Sequence, residues 1–174
     1  MRKLLLLIIC IVTGTQFCLA QKEKTKEKTK GSNPSFAYTA SYSSQFALGS
    51  QDYSSVVLNA WKGYDNNTWD VMADNISDTV TAMLFDGTVI KGKDNFLNGI
   101  KGYRGSFSAV NSTVEAWLPV KSLDRDQQWV CIWGTETDTK ADGSTQKIAL
   151  HELWRFNKDG KVDYLRQFTQ QLPK

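Results

Sequence analysis

The sequence is poor in the residues that most often perform chemistry in small proteins. Its 174 residues include one histidine, His151, and three cysteines, two of which, Cys10 and Cys18, fall in the first twenty residues. One histidine and one further thiol, Cys131, are too few for a zinc site or for a disulfide within the rest of the chain. The sequence also has no phosphate-binding glycine loop and no Ser/His/Asp arrangement. We therefore expect neither a metal nor a cofactor.

Long apolar runs are also scarce, and the single one lies at the start. Leu4 to Val12 is uninterrupted and follows the positive residues Arg2 and Lys3. This run is shorter than the roughly 20 residues that span a bilayer. It is typical of a signal peptide, and the small residue Ala20 suits a cleavage site. We expect residues 1–20 to be removed and the mature protein to be secreted or periplasmic, without a membrane segment.

Excess positive charge is confined to the beginning of the chain. The net charge is +3, the predicted signal peptide contributes +2 and residues 21–30 contribute +3, so the remainder carries −2. Lys, Glu and Thr alone fill positions 22–30, which is typical of a solvated segment. We expect residues 21–49 to be a basic leader and linker and residues 50–174 to be one domain. No basic face in that domain predicts nucleic-acid binding.

The predicted domain begins with helical periodicity and continues with strand periodicity. Apolar spacing predicts three helices, at residues 50–64, around Trp69 and at residues 93–103. Asp86-Gly87 between apolar runs predicts a hairpin. Alternating patterns then predict long strands at residues 110–120, 129–139, 147–156 and 162–168. The fold class predicted from this order is α+β, with an antiparallel sheet packed on three N-terminal helices.

This order of elements, together with three local motifs, carries a family resemblance. The motifs are Trp61…Tyr64…Trp69-Asp70, Val89-Ile90-Lys91-Gly92-Lys93 and the hairpin from Leu153 to Val162. Residues 50–170 resemble the cone-shaped fold shared by nuclear transport factor 2, ketosteroid isomerase and SnoaL-like polyketide cyclases. The resemblance implies a curved sheet wrapped around the helices with an internal pocket. It does not give a function, because the superfamily is functionally broad.

Comparison with ketosteroid isomerase is informative through what is missing. That enzyme uses a carboxylate base together with a Tyr and a protonated Asp that hold the dienolate oxygen. Alignment on the last hairpin places Glu152 at the position of the protonated Asp, Ala60 at the Tyr and Ala82 at the base. Two of the three roles are therefore empty, which argues against isomerase chemistry of that kind.

Glu152 is nevertheless the first candidate for a catalytic residue. Its neighbours on the same face of the strand are Leu150 and Trp154, an apolar setting that would raise the pKa of a pocket carboxyl group and suit acid–base chemistry. The alternatives are a register in which Glu152 faces solvent, or a salt bridge to Arg155 or Arg166.

His151 is the second catalytic candidate, as the single group that titrates near neutral pH. In a regular strand its side chain faces the opposite way from that of Glu152. A structural hydrogen bond or a position on the outer face is therefore the interpretation that we favour for His151.

Aromatic and aliphatic residues predict the character of the pocket. We expect a ligand to contact Trp61, Tyr64, Trp69, Phe85, Trp133, Leu150 and Trp154, with simple core packing as the alternative. Trp117 alternates with polar neighbours, so we expect it on the outer sheet face, where it would favour a homodimer.

These features lead to one hypothesis and two alternatives. The hypothesis is an exported protein that binds an apolar or aromatic small molecule. The first alternative is a cofactor-independent cyclase, isomerase or hydratase that uses Glu152. The second is a structural or interaction protein whose pocket is vestigial.

Overall fold

The computed structural model of the chain describes residues 36–42 and 44–172. The chain divides between residues 39 and 40, and the fold presented below is that of the part from Ala40 onward. The predicted signal peptide and the Lys-Glu-Thr repeat lie outside the described residues. Within the described ranges, no helix is long and apolar enough to cross a membrane.

Three helices and seven strands occur in the described part of the chain. The helices are α1 (Gln51–Asp65), α2 (Asp70–Asn75) and α3 (Lys93–Arg104). The strands are β1 (Phe46–Leu48), β2 (Ile76–Met83), β3 (Val89–Lys91), β4 (Ala109–Ser122), β5 (Gln127–Thr139), β6 (Thr145–Phe156) and β7 (Val162–Gln171). The predicted helices, the Asp86-Gly87 hairpin and the long strands are all present. The predicted α+β class is thereby confirmed.

The strands form one open sheet in the order β1-β4-β5-β6-β7-β2-β3. All neighbours are antiparallel except β2 and β7, which are parallel. The sheet is thus mixed, which corrects the prediction of a wholly antiparallel one. A parallel pair needs a long connection, and the chain supplies it, because a helix and the whole meander lie between β2 and β7.

Helix α1 begins and packs as its sequence predicts. Ser50 is the N-cap, and its hydroxyl oxygen accepts a hydrogen bond from the backbone N–H of Asp52 at 3.2 Å. Satisfying an otherwise unpaired N–H in this way typically contributes about 1 kcal/mol to helix stability. Val57, Ala60 and Trp61 lie one turn apart and are buried, so the apolar side of α1 faces the sheet.

The folded part of the chain begins before Ser50. Strand β1 pairs with the end of β4, with Phe46 opposite Ser122 and Leu48 opposite Val120. Residues that the sequence pattern assigned to the linker therefore extend the sheet at its edge.

Strands β5 and β6 show which residues face the helices. Buried and half-buried side chains alternate strictly from Val130 onward in β5 and from Ile148 onward in β6. We call the side that packs on the helices the inner face and the opposite side the outer face. The inner face carries Val130, Ile132, Gly134, Glu136 and Asp138 from β5, and Ile148, Leu150, Glu152, Trp154 and Phe156 from β6. Carboxyl groups are therefore embedded in an otherwise mostly apolar layer.

A β-bulge in β4 changes which residues face inward. The ladder pairs Val114 with Gly134 before the irregularity and Trp117 with Ile132 after it. Directly paired residues share a face, so Trp117 is on the inner side, where its indole N–H donates to Gln51 Oε1 of α1 at 3.3 Å. The prediction that Trp117 lies on the outer face is wrong, because strict alternation ends at an inserted residue.

Candidate functional site

A cavity of about 200 Å³ lies between the inner face of the sheet and the helices. Its walls are mainly aromatic and aliphatic. Of the residues predicted to contact a ligand, five line this cavity: Trp61, Tyr64, Phe85, Leu150 and Trp154. Glu152 also lines it, and Glu136 was not anticipated. Pockets for drug-sized ligands measure ~300–1,000 Å³, so this cavity suits a more compact molecule.

Glu152 is held at one end of the cavity by three N–H donors. Its Oε2 accepts from the indole N–H groups of Trp61 at 2.7 Å and Trp154 at 2.9 Å, and its Oε1 accepts from the Gln167 side-chain amide at 2.9 Å. Burial raises the pKa of Glu152, and the three hydrogen bonds oppose that shift. Most of the carboxyl lone pairs are thus occupied by protein groups, and Glu152 links α1, β6 and β7.

A glycine on β5 makes room for this arrangement. A Cβ atom at Gly134 would lie 2.4 Å from the Thr113 carbonyl oxygen and 3.0 Å from Cζ3 of Trp61. The absence of a side chain lets the Trp61 ring lie against the strand. The position of the Trp61 indole N–H, and hence its bond to Glu152, depends on that close approach.

Glu136 and Asp138 form a second acidic group on the inner face of β5. Glu136 lies four residues, about 13 Å of strand, beyond Ile132, which pairs with Glu152. Glu136 is only 5 % exposed, and Asp138 is fully buried. Asp138 Oδ2 accepts from the Gln146 amide at 2.8 Å, while Oδ1 is enclosed without an N–H or hydroxyl donor among the described residues. Burial, then the neighbouring Asp138 carboxylate, raises the pKa of Glu136 to about 9. At neutral pH Glu136 is therefore protonated and donates to Asp138.

Two tyrosines, Tyr64 and Tyr103, line this end of the cavity together with Glu136. We call these three residues, with the fully buried Asp138 that contacts Glu136, the Glu136 end. Burial raises the pKa of both tyrosines, and the two carboxyl groups raise it further. Both phenols are thus neutral hydrogen-bond donors at physiological pH. The Glu136 end therefore combines two aromatic rings, two hydroxyl groups and a carboxyl pair.

Arg104 fixes the helices around the Glu136 end. This buried side chain donates to the backbone carbonyl oxygens of Tyr64, Asp65 and Phe107 at 2.9 to 3.0 Å. A cation at the carbonyl end of α1 is favourable for the helix dipole. Arg104 thereby joins α3 to the end of α1 and sets where Tyr64 stands.

The remaining candidates lie away from the cavity. His151 and Trp133 are on the outer face, where their rings stack with centroids 4.9 Å apart. They point outward because their positions alternate with those of Glu152 and Gly134. Trp69 is the N-cap of α2 and packs edge-on against Tyr64 at 6.1 Å, and it does not line the cavity.

Glu136 and Asp138 carried a signal in the sequence. The alternation that places Val130 and Ile132 inward continues through Gly134 to both acids. Their neighbours in the sequence are polar and rich in threonine, which is typical of a solvated strand end, so the pattern did not indicate that the two acids are buried.

Among the described residues, no group of three or more His, Cys, Asp or Glu side chains is arranged to hold a metal ion.

Comparisons with known proteins identify the fold. No protein-family model and no curated protein matches the chain. Among solved structures, an NTF2-like protein of unknown function from Exiguobacterium sp. 255-15 is 18 % identical, with a TM-score of 0.55 over 66 % of this chain and 98 % of that one.

Two further structures extend this similarity. A candidate SnoaL-like polyketide cyclase from Jannaschia sp. CCS1 is 14 % identical, with a TM-score of 0.57 over 69 % of this chain and 86 % of that one. A hexachlorocyclohexane dehydrochlorinase (LinA type 2) is 12 % identical, with a TM-score of 0.58 over 68 % and 84 %. At these identities the likeness concerns the fold. The resemblance read from the sequence is confirmed at that level: the chain has an NTF2-like fold.

Proposed function

We propose that the chain is an exported small-molecule-binding protein, and that its cavity holds a compact, mainly apolar or aromatic ligand. The observation that carries the proposal is a cavity of about 200 Å³ with apolar walls that ends in a buried carboxyl group, Glu136, which is hydrogen-bonded to a second acid, Asp138. Apolar walls with a few oriented polar groups are the usual composition of a ligand site.

Ligand retention tests this proposal directly. Native mass spectrometry of the purified protein should detect a bound small molecule, which denaturing conditions release. Ile100 of α3 lines the cavity, so Ile100→Trp should fill it and abolish retention. Asn98→Trp places the same ring on an exposed position of α3 outside the cavity and should leave retention unchanged. Equal ligand content in both variants contradicts the proposal. A folded protein without any ligand, in which Ile100→Trp is also stable, favours a vestigial pocket.

A cofactor-independent cyclase, isomerase or hydratase is the second candidate function. The observation that favours it is the Glu136 carboxyl group in the cavity wall, whose pKa burial and Asp138 raise to about 9, since a general acid must hold a proton at the working pH. The sequence predicted this role for Glu152, whose oxygens are instead occupied by protein donors. Under the enzyme hypothesis, Glu136→Gln abolishes turnover and leaves ligand retention intact, as quantified by substrate depletion and mass spectrometry.

We further propose that two copies pair through the outer face of the sheet. Leu118 and Phe168 are 40 % and 43 % exposed on this side, next to the stacked rings of Trp133 and His151. Such an apolar patch is typical of a protein interface. Analytical ultracentrifugation should give a dimer, and Phe168→Asp should give a monomer. Leu123→Asp, at an exposed turn position, is the control that keeps the dimer. A monomeric unaltered protein at high concentration excludes this interface.

A further inference from the structure

Negative charge at the Glu136 end is not matched by any cation that lines the cavity. Glu136 is more than nine-tenths buried and faces the cavity. Its single hydrogen-bond partner among the described residues is another acid, Asp138. The proton between them substitutes for a missing donor, because Asp138 Oδ1 accepts no hydrogen bond from an N–H or hydroxyl group in residues 36–42 and 44–172.

The other charged groups near Glu136 are already paired. Asp65 of α1 accepts from the backbone N–H and hydroxyl of Ser112 and lies 3.8 Å from Lys62. Glu152 of β6 accepts from three N–H donors. Arg104 of α3, the nearby cation, uses its donors on three backbone carbonyl oxygens.

Tyr64 and Tyr103 add to the negative character of this end. Both line the cavity as neutral phenols, and the face of an aromatic ring attracts cations. Of the described residues that line the cavity, none is Lys, Arg or His. The Glu136 end thus has carboxyl oxygens, aromatic faces and apolar walls, and it lacks a positive partner.

We infer that the ligand carries a compact cationic group with N–H donors, an ammonium or an amidinium, and that this group binds to Glu136 in the cavity. This inference rests on the proposed function and specifies the chemical class of the ligand. The cation compensates the negative charge that the Glu136 proton otherwise neutralises. Its N–H groups donate to the Glu136 carboxylate, and the apolar part of the ligand extends toward Leu150 and Trp154.

The inference predicts that ligand binding releases a proton and that the affinity depends on pH. Binding of the cation ionises Glu136, so about one proton leaves the protein for each ligand bound at pH 7. The affinity for the cation should rise with pH, by up to about tenfold per pH unit, until Glu136 is ionised in the free protein. A neutral ligand that accepts a hydrogen bond from protonated Glu136 shows the opposite dependence.

Benzamidinium and benzamide are suitable probes, because they have similar shapes and differ in charge. Isothermal titration calorimetry on the purified protein should show that benzamidinium binds at least about tenfold more tightly than benzamide. Titrations in two buffers of different ionisation enthalpy should report the released proton. The same titrations between pH 6 and pH 9 should show the rise in affinity.

Matched substitutions locate the effect. Glu136→Gln should weaken the binding of benzamidinium at least about tenfold and remove the pH dependence of that binding. The affinity for benzamide should change by less than about threefold. Glu115→Gln removes a carboxylate from an exposed position of β4 outside this cavity and should leave the affinity for both ligands unchanged. Thermal unfolding checks that both variants are folded. If Glu136→Gln does not fold, Asp138→Asn removes the carboxylate that raises the pKa of Glu136. The rise in benzamidinium affinity should then move to lower pH, and an unmoved pH profile overturns the inference.

The outcomes separate this inference from the proposed function. Equal or tighter binding of benzamide, or an affinity for benzamidinium that falls as pH rises, overturns the cation and leaves the small-molecule site in place. Failure of both probes, together with the absence of any retained ligand, overturns both.

Discussion

The two carboxyl groups that line the cavity, Glu152 and Glu136, have opposite surroundings although both lie on the inner face of adjacent strands. Glu152 accepts hydrogen bonds from two indoles and one amide, whereas the hydrogen-bond partner of Glu136 is a second acid. The first arrangement satisfies a carboxyl group within the protein. The second leaves a carboxyl group that depends on its own proton, and a ligand can replace that proton.

The comparison shows that burial beside aromatic residues does not by itself identify a functional acid. Both groups have a raised pKa because burial disfavours the charged form. What differs is the supply of donors around each one. Glu152 is therefore expected to act mainly on stability and Glu136 mainly on ligand binding or proton transfer.

The largest effect is expected from removing the carboxyl group of Glu152. Glu152→Ala leaves two buried indole N–H donors and the half-buried Gln167 amide without this acceptor, and the loss of a buried partner costs about 1–3 kcal/mol. The free energy of unfolding, measured by urea denaturation, should fall by about 3 kcal/mol or more. A loss below about 1 kcal/mol shows that the indoles of Trp61 and Trp154 find other acceptors, and it removes the structural role assigned to Glu152.

A smaller loss is expected from crowding Trp61 through its neighbour on β5. Gly134→Ala introduces a Cβ atom 2.4 Å from a backbone oxygen, and overpacking of this kind costs about 1–3 kcal/mol. Gly102→Ala in α3 is the control, because a Cβ there meets nothing within 4 Å and alanine favours a helix by up to ~1 kcal/mol. Thermal and urea unfolding should therefore give opposite signs for the two variants.

The pH dependence of stability should separate the two carboxyl groups. The pKa of Glu136 rises from its ordinary 4.5 to about 9 in the folded state, so the folded state binds more protons between these values. Stability should then fall as pH rises from about 4.5 to about 9, by up to about 1.4 kcal/mol per pH unit. Glu136→Gln should flatten this slope, and urea titrations across the range measure it. The slope that persists in the variant reports Glu152, whose pKa shifts in the same direction. An unchanged slope contradicts the assignment to Glu136.

The smallest effect is expected for a carboxylate on the outer face. Asp163 Oδ1 accepts from Arg155 Nε at 2.8 Å, and both side chains are about one-quarter exposed. Pairs of this kind contribute about 0–1 kcal/mol. Asp163→Asn should therefore reduce the free energy of unfolding by less than about 1 kcal/mol and leave ligand retention unaltered. A loss comparable with that of Glu152→Ala would show that the face of the sheet is not what separates these acids.

The fold could be predicted from the sequence because apolar spacing, turn residues and strand alternation all indicate the same order of elements. Apolar spacing located α1 and α3, turn residues located the hairpins, and alternation placed Glu152 and His151 on opposite faces of the sheet. These features depend on local periodicity, which a sequence records directly. Helical spacing placed Trp61 on α1 and alternation placed Leu150 and Trp154 on one face of β6, and these elements meet at one cavity.

The parts that were missed depend on non-local geometry. The bulge in β4 reverses the facing of Trp117, and no residue type near Glu115 announces it. The donors around Glu152 come from α1 and β7, and the partner of Glu136 is recognisable only when the inward register of β5 is followed to its polar end. Cross-strand and helix–sheet distances decide both environments, and a sequence does not contain them.

The bulge in β4 has a consequence for how tolerant this sheet is of length changes. Deleting Glu115 would leave Val114 opposite Gly134 and Ala116 opposite Trp133 in a regular ladder, so the residues from Ala116 to Ser122 would keep their sides. Trp117 would stay beside Gln51, and Leu118 would stay on the outer face. Each residue between Ala116 and Ser122 has its own partner on β5, so a deletion there would exchange the sides of the residues next to it. This half of β4 therefore tolerates the loss of a residue best at the bulge.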